Sequence, residues 1–419
     1  MIEFINNFNL LFLILFTLLY AYQGIFMVLG LFIKQPKFHA KIKHKYAIII
    51  PARNEEIVIG KLIDNIKSQR YPQGLLDIYL LADNCTDDTA QIGRSKGVHV
   101  YERFNSNLIG KGFALTELFR YIDKKIGLET YDGYFFFDAD NVLEENFIDK
   151  MNDIFDNGYE IVTGYRNTKN FNDSWVASSS GIWFLRDCVF MNKPRMRFNT
   201  TTNVTGTGFL LSSKILSEIG GWKYHLLTED IEFSVDMVLR NKTIAYAHDA
   251  IFYDEQPIHF IDSWKQRLRW VKGFYQVLRK YGGRLIKRSF IAGEFSCYDM
   301  FMLLAPGNAF TLLSIGFNSV FFIIGLFDIA ITGEVLKVTL LSVITLIRNF
   351  FIIFFIIGLF TIIKENKRIH GSKFRKVLTV FLFPVYMLSY IPISILAFFK
   401  KVKWEPIKHT EAKDVEEIK

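Results

Sequence analysis

The chain has 419 residues, half of them apolar and 16% aromatic, with 42 phenylalanines, which argues against a purely soluble globular protein. The net charge of +8 is concentrated in KQPKFHAKIKHK and KENKRIHGSKFRK, beside long apolar runs. That placement favours topology signals and anionic headgroups over a nucleic-acid groove. Cys85, Cys188 and Cys297 are widely separated, lack metal-ligand spacing and read as free thiols in a reducing compartment.

In chain order, Leu10 to Ile33 is apolar for a bilayer's thickness of helix. The preceding MIEFINNFN holds an acid and no Lys or Arg, and no small-residue cleavage site follows, so the segment reads as an anchor (8–33) rather than a signal peptide. Lys34, Lys37, Lys41, Lys43 and Lys45 then put the next domain in the cytoplasm by the positive-inside rule.

From Tyr46 to about Ala250 the pattern is that of an α/β domain. KYAIIIPARNEE predicts a strand ending in a polar loop, and EEIVIGKLIDNIKSQ a helix with Ile57, Ile63 and Ile66 on its inner face. LLDIYLLADN predicts a second strand, and TDDTAQIGRSKG a helix capped by Asp87 and Asp88 and stopped by Gly97. VHVYER and YFFFDADN predict two more strands, with a helix from Lys111 to Ile126 between them. Alternating strands and helices imply a mostly parallel sheet, whose ligands bind at the carboxyl ends of strands. Arg53, Glu55, Asp83, Asp138 and Asp140 all fall there. Acids at i and i+2 on an extended strand point to one side, and two such carboxylates repel unless a cation such as Mg²⁺ or Mn²⁺ lies between them.

Further along, Gln266, Arg269 and Trp270 in QRLRW share one helix face. Arg269 suits a leaving diphosphate and Trp270 a sugar ring; the plain alternative is a basic amphipathic helix on a membrane surface. His225, His248 and His259 are isolated and read as structural. Asn84-Cys85-Thr86 and Asn203-Val204-Thr205 fit the glycosylation pattern, which a cytoplasmic domain would not use. YDEQP (253–257) is a dense polar cluster suited to shaping an acceptor channel.

Seven segments, PARNE (51–55), ADN (82–84), GKG (110–112), DAD (138–140), GTG (206–208), TED (228–230) and QRLRW (266–270), give the chain its resemblance to membrane-bound family 2 glycosyltransferases of the GT-A fold. The branch resembled contains the hyaluronan, chitin, cellulose and poly-N-acetylglucosamine synthases. The resemblance implies a Rossmann-like cytoplasmic GT-A domain (45–285) flanked by transmembrane helices, multi-pass in the plasma membrane. It implies Arg53, Glu55, Asp83, Lys111, Asp138 and Arg269 at the nucleotide sugar, and Mg²⁺ or Mn²⁺ on Asp138 and Asp140. It further implies Asp230 as the general base aided by Glu229, whose charge would raise the pKa of Asp230, and Gly206, Thr207, Gly208, Gln266 and Trp270 at the acceptor. An α-linked donor would then give a β-linked product.

The C-terminal third predicts spans at Met300–Ile331 and Val335–Ile363, then a third at Val377–Phe399 that Pro384 and Pro392 allow to be broken or re-entrant (membrane region 300–399). In the polar tail (400–419), Trp404 and Thr410 loosely resemble a substrate-gating segment of the related synthases. Three functions compete. The first is processive, inverting synthesis of a β-linked polysaccharide from a UDP-sugar of the N-acetylglucosamine or glucose class, coupled to export. The second is glycosylation of a membrane lipid by the same donor site, and the third a catalytically dead accessory of polysaccharide secretion. The expected partners are the donor, a glycan or lipid acceptor and the bilayer; three or four spans leave room for a homo-oligomer or an accessory export subunit, and no nucleic acid is expected.

Overall fold

The computed structural model describes residues 2–304, 306–327, 332–403, 405 and 412–419. A long helix, α1 (Ile2–Phe32), precedes β1 (Tyr46–Ala52), α2 (Ile59–Lys67), β2 (Leu76–Asp83), α3 (Thr89–Ser95), β3 (His99–Arg103), α4 (Lys111–Ile126) and β4 (Gly133–Phe136). Next come β5 (Val142–Leu143), α5 (Phe147–Phe155), β6 (Ile161–Thr168), α6 (Trp175–Arg186), α7 (Lys193–Arg197), β7 (Phe209–Ser212), α8 (Ser213–Glu218), α9 (Glu229–Leu239) and β8 (Ile244–Asp254). The chain ends with α10 (Phe260–Phe290), α11 (Phe295–Leu304), α12 (Pro306–Phe327), α13 (Thr332–Glu365), α14 (Lys373–Leu388), α15 (Tyr390–Phe399) and α16 (Val415–Ile418).

The strands form one sheet in the order β3-β2-β1-β4-β7-β6-β8-β5. Parallel pairing joins β3, β2, β1 and β4, and also β6 and β8; β7 runs antiparallel to β4 and β6, and β5 antiparallel to β8. Alternate residues of the central strands feed two cores, as a strand covered on both faces requires. Ala47, Ile49, Tyr134 and Phe136 pack with α4 and α8 on one face. Ile48, Ile50, Phe135 and Phe137 pack with α2 and α5 on the other, and that cluster continues without a break to Ile362 of α13 and Val380, Phe383 and Met387 of α14. The α/β unit and the apolar helices therefore share one core.

Two local expectations change. Helix α2 starts at Ile59 and buries Ile59, Leu62, Ile63 and Ile66, while Ile57 is exposed. The turn made when Val58 and Ile59 donate to the Glu55 carbonyl, at 3.1 and 3.0 Å, carries Ile57 outward. At α3, Asp87 accepts the Thr89 N–H at 3.1 Å, but Asp88 makes no capping bond.

Among the described residues, three helical stretches are long and apolar enough to cross a membrane: Ile2–Phe32, Gly333–Glu365 and Lys373–Phe399. Within the expected span at 300–331, the described residues fall in the end of α11 and in α12, which Pro306, lacking an N–H to donate, opens. The third stretch is interrupted at Ser389 rather than at Pro384, which lies inside α14. Arg267, fully buried on α10, donates to the Tyr386 carbonyl at 3.2 Å and the Ser389 hydroxyl at 2.5 Å, so groups at the break find partners.

Asp299 of α11 accepts two bonds from Arg195 of α7, at 2.7 and 2.8 Å, and one from Tyr22 of α1 at 2.9 Å. Both charges are buried, so removing one strands the other. Asp299→Ala is expected to cost about 3–5 kcal/mol, read as a lower Tm of the detergent-solubilised chain. Arg195→Met with Asp299→Leu is expected to restore much of that loss, and an unchanged Tm in Asp299→Ala would refute the assignment.

Candidate functional site

Strand β2 delivers Asp83 to its carboxyl end, where Arg103 at the end of β3 donates to it at 2.7 Å. Arg103 also pairs with Glu117 at 2.9 Å and donates to the Leu108 carbonyl at 2.7 Å. Burial raises the Asp83 carboxyl pKa while Arg103 acts against it.

Strand β4 stops at Phe136, so Asp138 and Asp140 lie in the loop beyond it rather than on the strand. The Asp138 N–H donates to the Thr207 hydroxyl at 2.9 Å, and its carboxylate accepts from Lys111, the first residue of α4, at 2.6 Å. Lys111 also donates to the Gly206 carbonyl at 2.6 Å. Burial works against the lysine's charge, but Asp138 and Glu229 outweigh it and its pKa is raised. Asp140 is buried, and one of its oxygens accepts the Glu255 N–H at 2.7 Å.

Glu229 and Asp230 occupy the first turn of α9, where helix N–H groups face them. Burial raises the pKa of both. For Glu229 the charge of Asp230 adds to burial and Lys111 opposes it; for Asp230 burial is opposed by the helix backbone, Lys111 and Arg166.

Gln266, Arg269 and Trp270 of α10 face the same cavity as these acids. Burial pulls the Arg269 pKa down, with Glu229, Asp230 and Asp138 resisting, and its guanidinium donates to the Glu405 carbonyl at 3.2 Å. Trp270 stands edge-on to Phe184, with ring centroids 6.1 Å apart. Trp404 and Thr410 lie outside the described residues.

Of the Gly206-Thr207-Gly208 segment, only Gly206 lines the cavity. Thr207 is buried and donates to Asn141 Oδ1, buttressing the Asp138–Asp140 loop. Gly208 has φ of +64°, and a Cβ there would lie 2.2 Å from the Phe252 ring. These two residues, expected at the acceptor, lie behind the cavity wall, packed against the Asp138–Asp140 loop and Phe252.

Several residues escaped the sequence reading. Arg166 of β6 donates to one oxygen of Asp254 through two nitrogens, Nε at 2.8 Å, and Gln256 donates to the same oxygen at 2.7 Å. The other oxygen, Asp254 Oδ1, is buried with no hydrogen-bond partner. Burial pushes the Asp254 carboxyl up to about 6, Arg166 opposing and Asp140 adding. Lys169 donates to the Asp140 carbonyl at 3.1 Å and pairs with Glu255 at 3.2 Å. The Arg166 guanidinium also lies 3.8 Å from the Phe184 ring centroid. The available signal was YRNTK (165–169), with one cation inside strand β6 and one just beyond it.

Asp83, Lys111, Asp138, Asp140, Arg166, Asp254 and Arg269 border one cavity of about 1410 Å³. It runs from Arg53, Glu55 and Asp83, past Asp138, Asp140, Glu229 and Asp230, to Gln266, Arg269 and Trp270, and on between the apolar helices. There it reaches Asn9 of α1, Asn318 of α12 and Ser342 of α13, where Asn9 donates to Asn318 at 3.1 Å and to Ser342 at 3.2 Å. Among the described residues no three His, Cys, Asp or Glu side chains are gathered into a ready-made metal site. Carboxylates beside a cavity that admits a diphosphate still fit Mg²⁺ or Mn²⁺, which take oxygen ligands and complete their shells with phosphate and water.

A family model described as glycosyltransferase like family 2 matches residues 44–273. The beta-monoglucosyldiacylglycerol synthase of Nostoc sp. is 24% identical over 270 residues, 62% of this chain and 54% of that protein. The poly-beta-1,6-N-acetyl-D-glucosamine synthase of Staphylococcus epidermidis is 24% identical over 280 residues, 63% of this chain and 66% of that one. The chain thus spans between half and two thirds of the length of these relatives. Among solved structures, the mannosyltransferase PcManGT from Pyrobaculum calidifontis, in complex with GDP-Man and Mn²⁺, shares the fold with a TM-score of 0.56. It is 12% identical, and the match covers 93% of this chain and 99% of that one.

A Cβ on Gly273 of α10 would meet Thr228 Oγ1 at 2.4 Å, so α10 and the turn before α9 touch with no slack. Gly273→Ala is expected to force Arg269 and Trp270 away from Asp230 and to lower kcat about 10²-fold. Turnover of the purified variant checks this, and wild-type kcat would show that the contact can yield.

Proposed function

We infer the reaction from a premise that the chain itself supplies: it belongs to glycosyltransferase-like family 2 and is a glycosyltransferase. The proposed activity is processive, inverting transfer from a UDP-sugar of the N-acetylglucosamine or glucose class to a growing β-linked polysaccharide, coupled to its export. The observation that carries this reading is the unbroken cavity from the strand-end acids, past Trp270, to the amide and hydroxyl groups of Asn9, Asn318 and Ser342. A glycan needs both features along its path, flat apolar surface for its ring faces and polar partners for its hydroxyls.

In this reading α1, α12 and α13 cross the plasma membrane, α14–α15 is re-entrant, since the chain meets the α/β unit on both sides of it (Ser372 with Asn172, Asp414 with Lys61), and the sheet lies on the cytoplasmic side by the charge of Lys34 to Lys45. Arg53, Glu55 and Asp83 hold the nucleotide. Lys111 and Arg269 face the diphosphate, and as buried cations they stabilise charge that builds there as the sugar leaves. Asp230, aided by Glu229, takes the proton from the acceptor hydroxyl. The freed oxygen attacks the anomeric carbon, the bond from that carbon to the diphosphate breaks, and UDP departs with the electron pair. Attack opposite the leaving group inverts the centre. Asp138 and Asp140 would hold Mg²⁺ or Mn²⁺, which neutralises diphosphate charge when bound; the solved mannosyltransferase was captured with Mn²⁺.

A second reading, transfer to a membrane lipid, is favoured by the largely hydrocarbon walls of the cavity between the helices, among them Phe12, Phe16, Leu341 and Ile353. The Nostoc relative bears a lipid-glycosylating name. Purified protein with Mg²⁺ or Mn²⁺ and a panel of UDP-sugars separates the two. UDP release with one donor and a lengthening oligosaccharide ladder is expected, with activity lost in Asp230→Asn. A single sugar on extracted lipid would overturn the polymer reading, and no turnover above Asp230→Asn would overturn both.

The pH profile tests the base. Asp230 must be ionised to accept a proton, and burial holds its pKa above the usual carboxylate range, so activity falls with falling pH earlier than for an exposed acid. Lys111 lowers the pKa of both acids. Lys111→Met is therefore expected to move the acid limb of kcat/KM to higher pH, and an unmoved limb would exclude this pair as the base.

A further inference from the structure

We propose that Lys193, Lys364 and Arg368 bind a phosphate group where α1, α7 and α13 converge, and that an anionic headgroup of the cytoplasmic leaflet supplies it. This rests on the membrane placement of α1 and α13 above, and not on which sugar or acceptor the transferase uses.

Lys193, the first residue of α7, is 7% exposed, yet among the described residues its ammonium has neither a hydrogen bond nor an ion pair. Taking a charge out of water without a partner is costly, and buried lysines are almost always paired. The Nζ is still open to solvent, since it does not belong to the unpartnered atoms sealed inside the protein. Its surroundings sharpen the anomaly. Burial and then Lys364 pull its pKa below the ordinary lysine value; Glu365 resists, Arg368 pulls the same way and Asp249 resists. Both acids are engaged elsewhere. Glu365 accepts the Tyr165 hydroxyl at 2.7 Å and lies 3.8 Å from Arg368, while Asp249, with its side chain 69% exposed, lies 3.5 Å from the same arginine. His248 brings no charge of its own, because burial, helped by Arg368, Lys193 and Lys364, pushes its imidazole down to about 2.

The site lies at the ends of two spanning helices. Lys364, in the last turn of α13, donates to the Leu31 carbonyl near the end of α1 at 2.6 Å. Gly30 of α1 packs on the segment leading into α7, where a Cβ would lie 2.6 Å from the Val189 carbonyl oxygen. Gln35, just beyond α1, donates to the Lys193 carbonyl at 3.2 Å. The lone ammonium therefore stands where the apolar run of α1 gives way to the basic segment from Lys34 to Lys45. Basic pockets between helix ends on the cytoplasmic side suit anionic headgroups, and one phosphate presents several acceptor oxygens to several cations at once. None of the three residues lines the cavity that holds Asp138 and Asp230, so this phosphate is not the donor's.

The test uses the full chain in an uncharged detergent with phosphatidylglycerol, phosphatidylcholine or inorganic phosphate added. Bound lipid is read by native mass spectrometry and Tm is followed in parallel. Phosphatidylglycerol is expected to bind and to raise Tm, and phosphatidylcholine, whose choline cancels the phosphate charge, to do neither. Lys193→Met is expected to bind phosphatidylglycerol at least about tenfold more weakly. Without lipid it is expected to keep or exceed the wild-type Tm, because it removes an uncompensated buried charge. Lys364→Gln, at an exposed position, is expected to weaken binding about fivefold. Undiminished phosphatidylglycerol binding in the two folded variants, or a lower lipid-free Tm in Lys193→Met, would overturn the assignment. An equal Tm rise with inorganic phosphate, lost in the same variants, would keep the phosphate site and overturn its lipid source. Sugar transfer enters none of these readouts, so this assignment and the transferase reading fail separately.

Discussion

Carboxylates crowded into a cavity walled partly by hydrocarbon repel one another strongly, because little water is present to screen them. Three of the acids are accordingly set against a cation from another element. Asp83 of β2 has Arg103 of β3, Asp138 has Lys111 of α4, and Asp254 of β8 has Arg166 of β6. Such pairs are weak sources of net stability, since desolvation of both partners offsets much of their attraction. Their effect is to fix where each charge sits. Lys111 serves Asp138 directly and the Glu229–Asp230 pair through the field. An incoming diphosphate would meet that same lysine, so donor binding and the ionisation of the proposed base are electrostatically linked through one side chain.

Behind the charges stands a layer that has no chemistry of its own. Thr207 and Asn141 tie the turn before β7 to the DAD loop, and Phe252 fills the space that a side chain on Gly208 would need. Arg166 lies against Phe184, and Phe184 in turn stands edge-on to Trp270. A contact chain thus connects Asp254 at the donor end to the indole proposed for the acceptor.

What could be read from the sequence was what depends on near neighbours. The buried run before Asp83, the helix beginning at Lys111 and the shared face of Gln266, Arg269 and Trp270 follow from periodicity and survive in the structure. The cations that pair with the acids did not, because their partners are set by strand order. Arg166 meets Asp254 only because β6 lies beside β8, eighty-eight residues apart in the chain. The facing of Thr207 and Gly208 was equally hidden, since a turn glycine reads the same whether it borders a ligand or a phenylalanine. Proline pointed to a break in the last apolar stretch, and it lies at Ser389, just before Pro392 in the first turn of α15, where a buried arginine from another helix supplies hydrogen bonds.

That arginine also bears on how the site and the apolar helices move. Arg267 has no carboxylate partner among its hydrogen bonds; it is held by the Ser263 and Tyr386 carbonyls and the Ser389 hydroxyl, with its guanidinium 4.0 Å from the Tyr386 ring centroid and 5.0 Å from that of Tyr390. A charge so placed cannot slide along α14 and α15 without losing those partners, and each buried donor left open costs about 1–3 kcal/mol. Helix α10 is therefore pinned to the Ser389 break, two residues before Arg269 and three before Trp270. The opposite sheet face is joined to α13 and α14 through a single apolar core. With both sides anchored, a glycan or lipid passing along the cavity would have to move past fixed walls, and the side chains lining those walls, rather than large shifts of the helices, would set which acceptors pass.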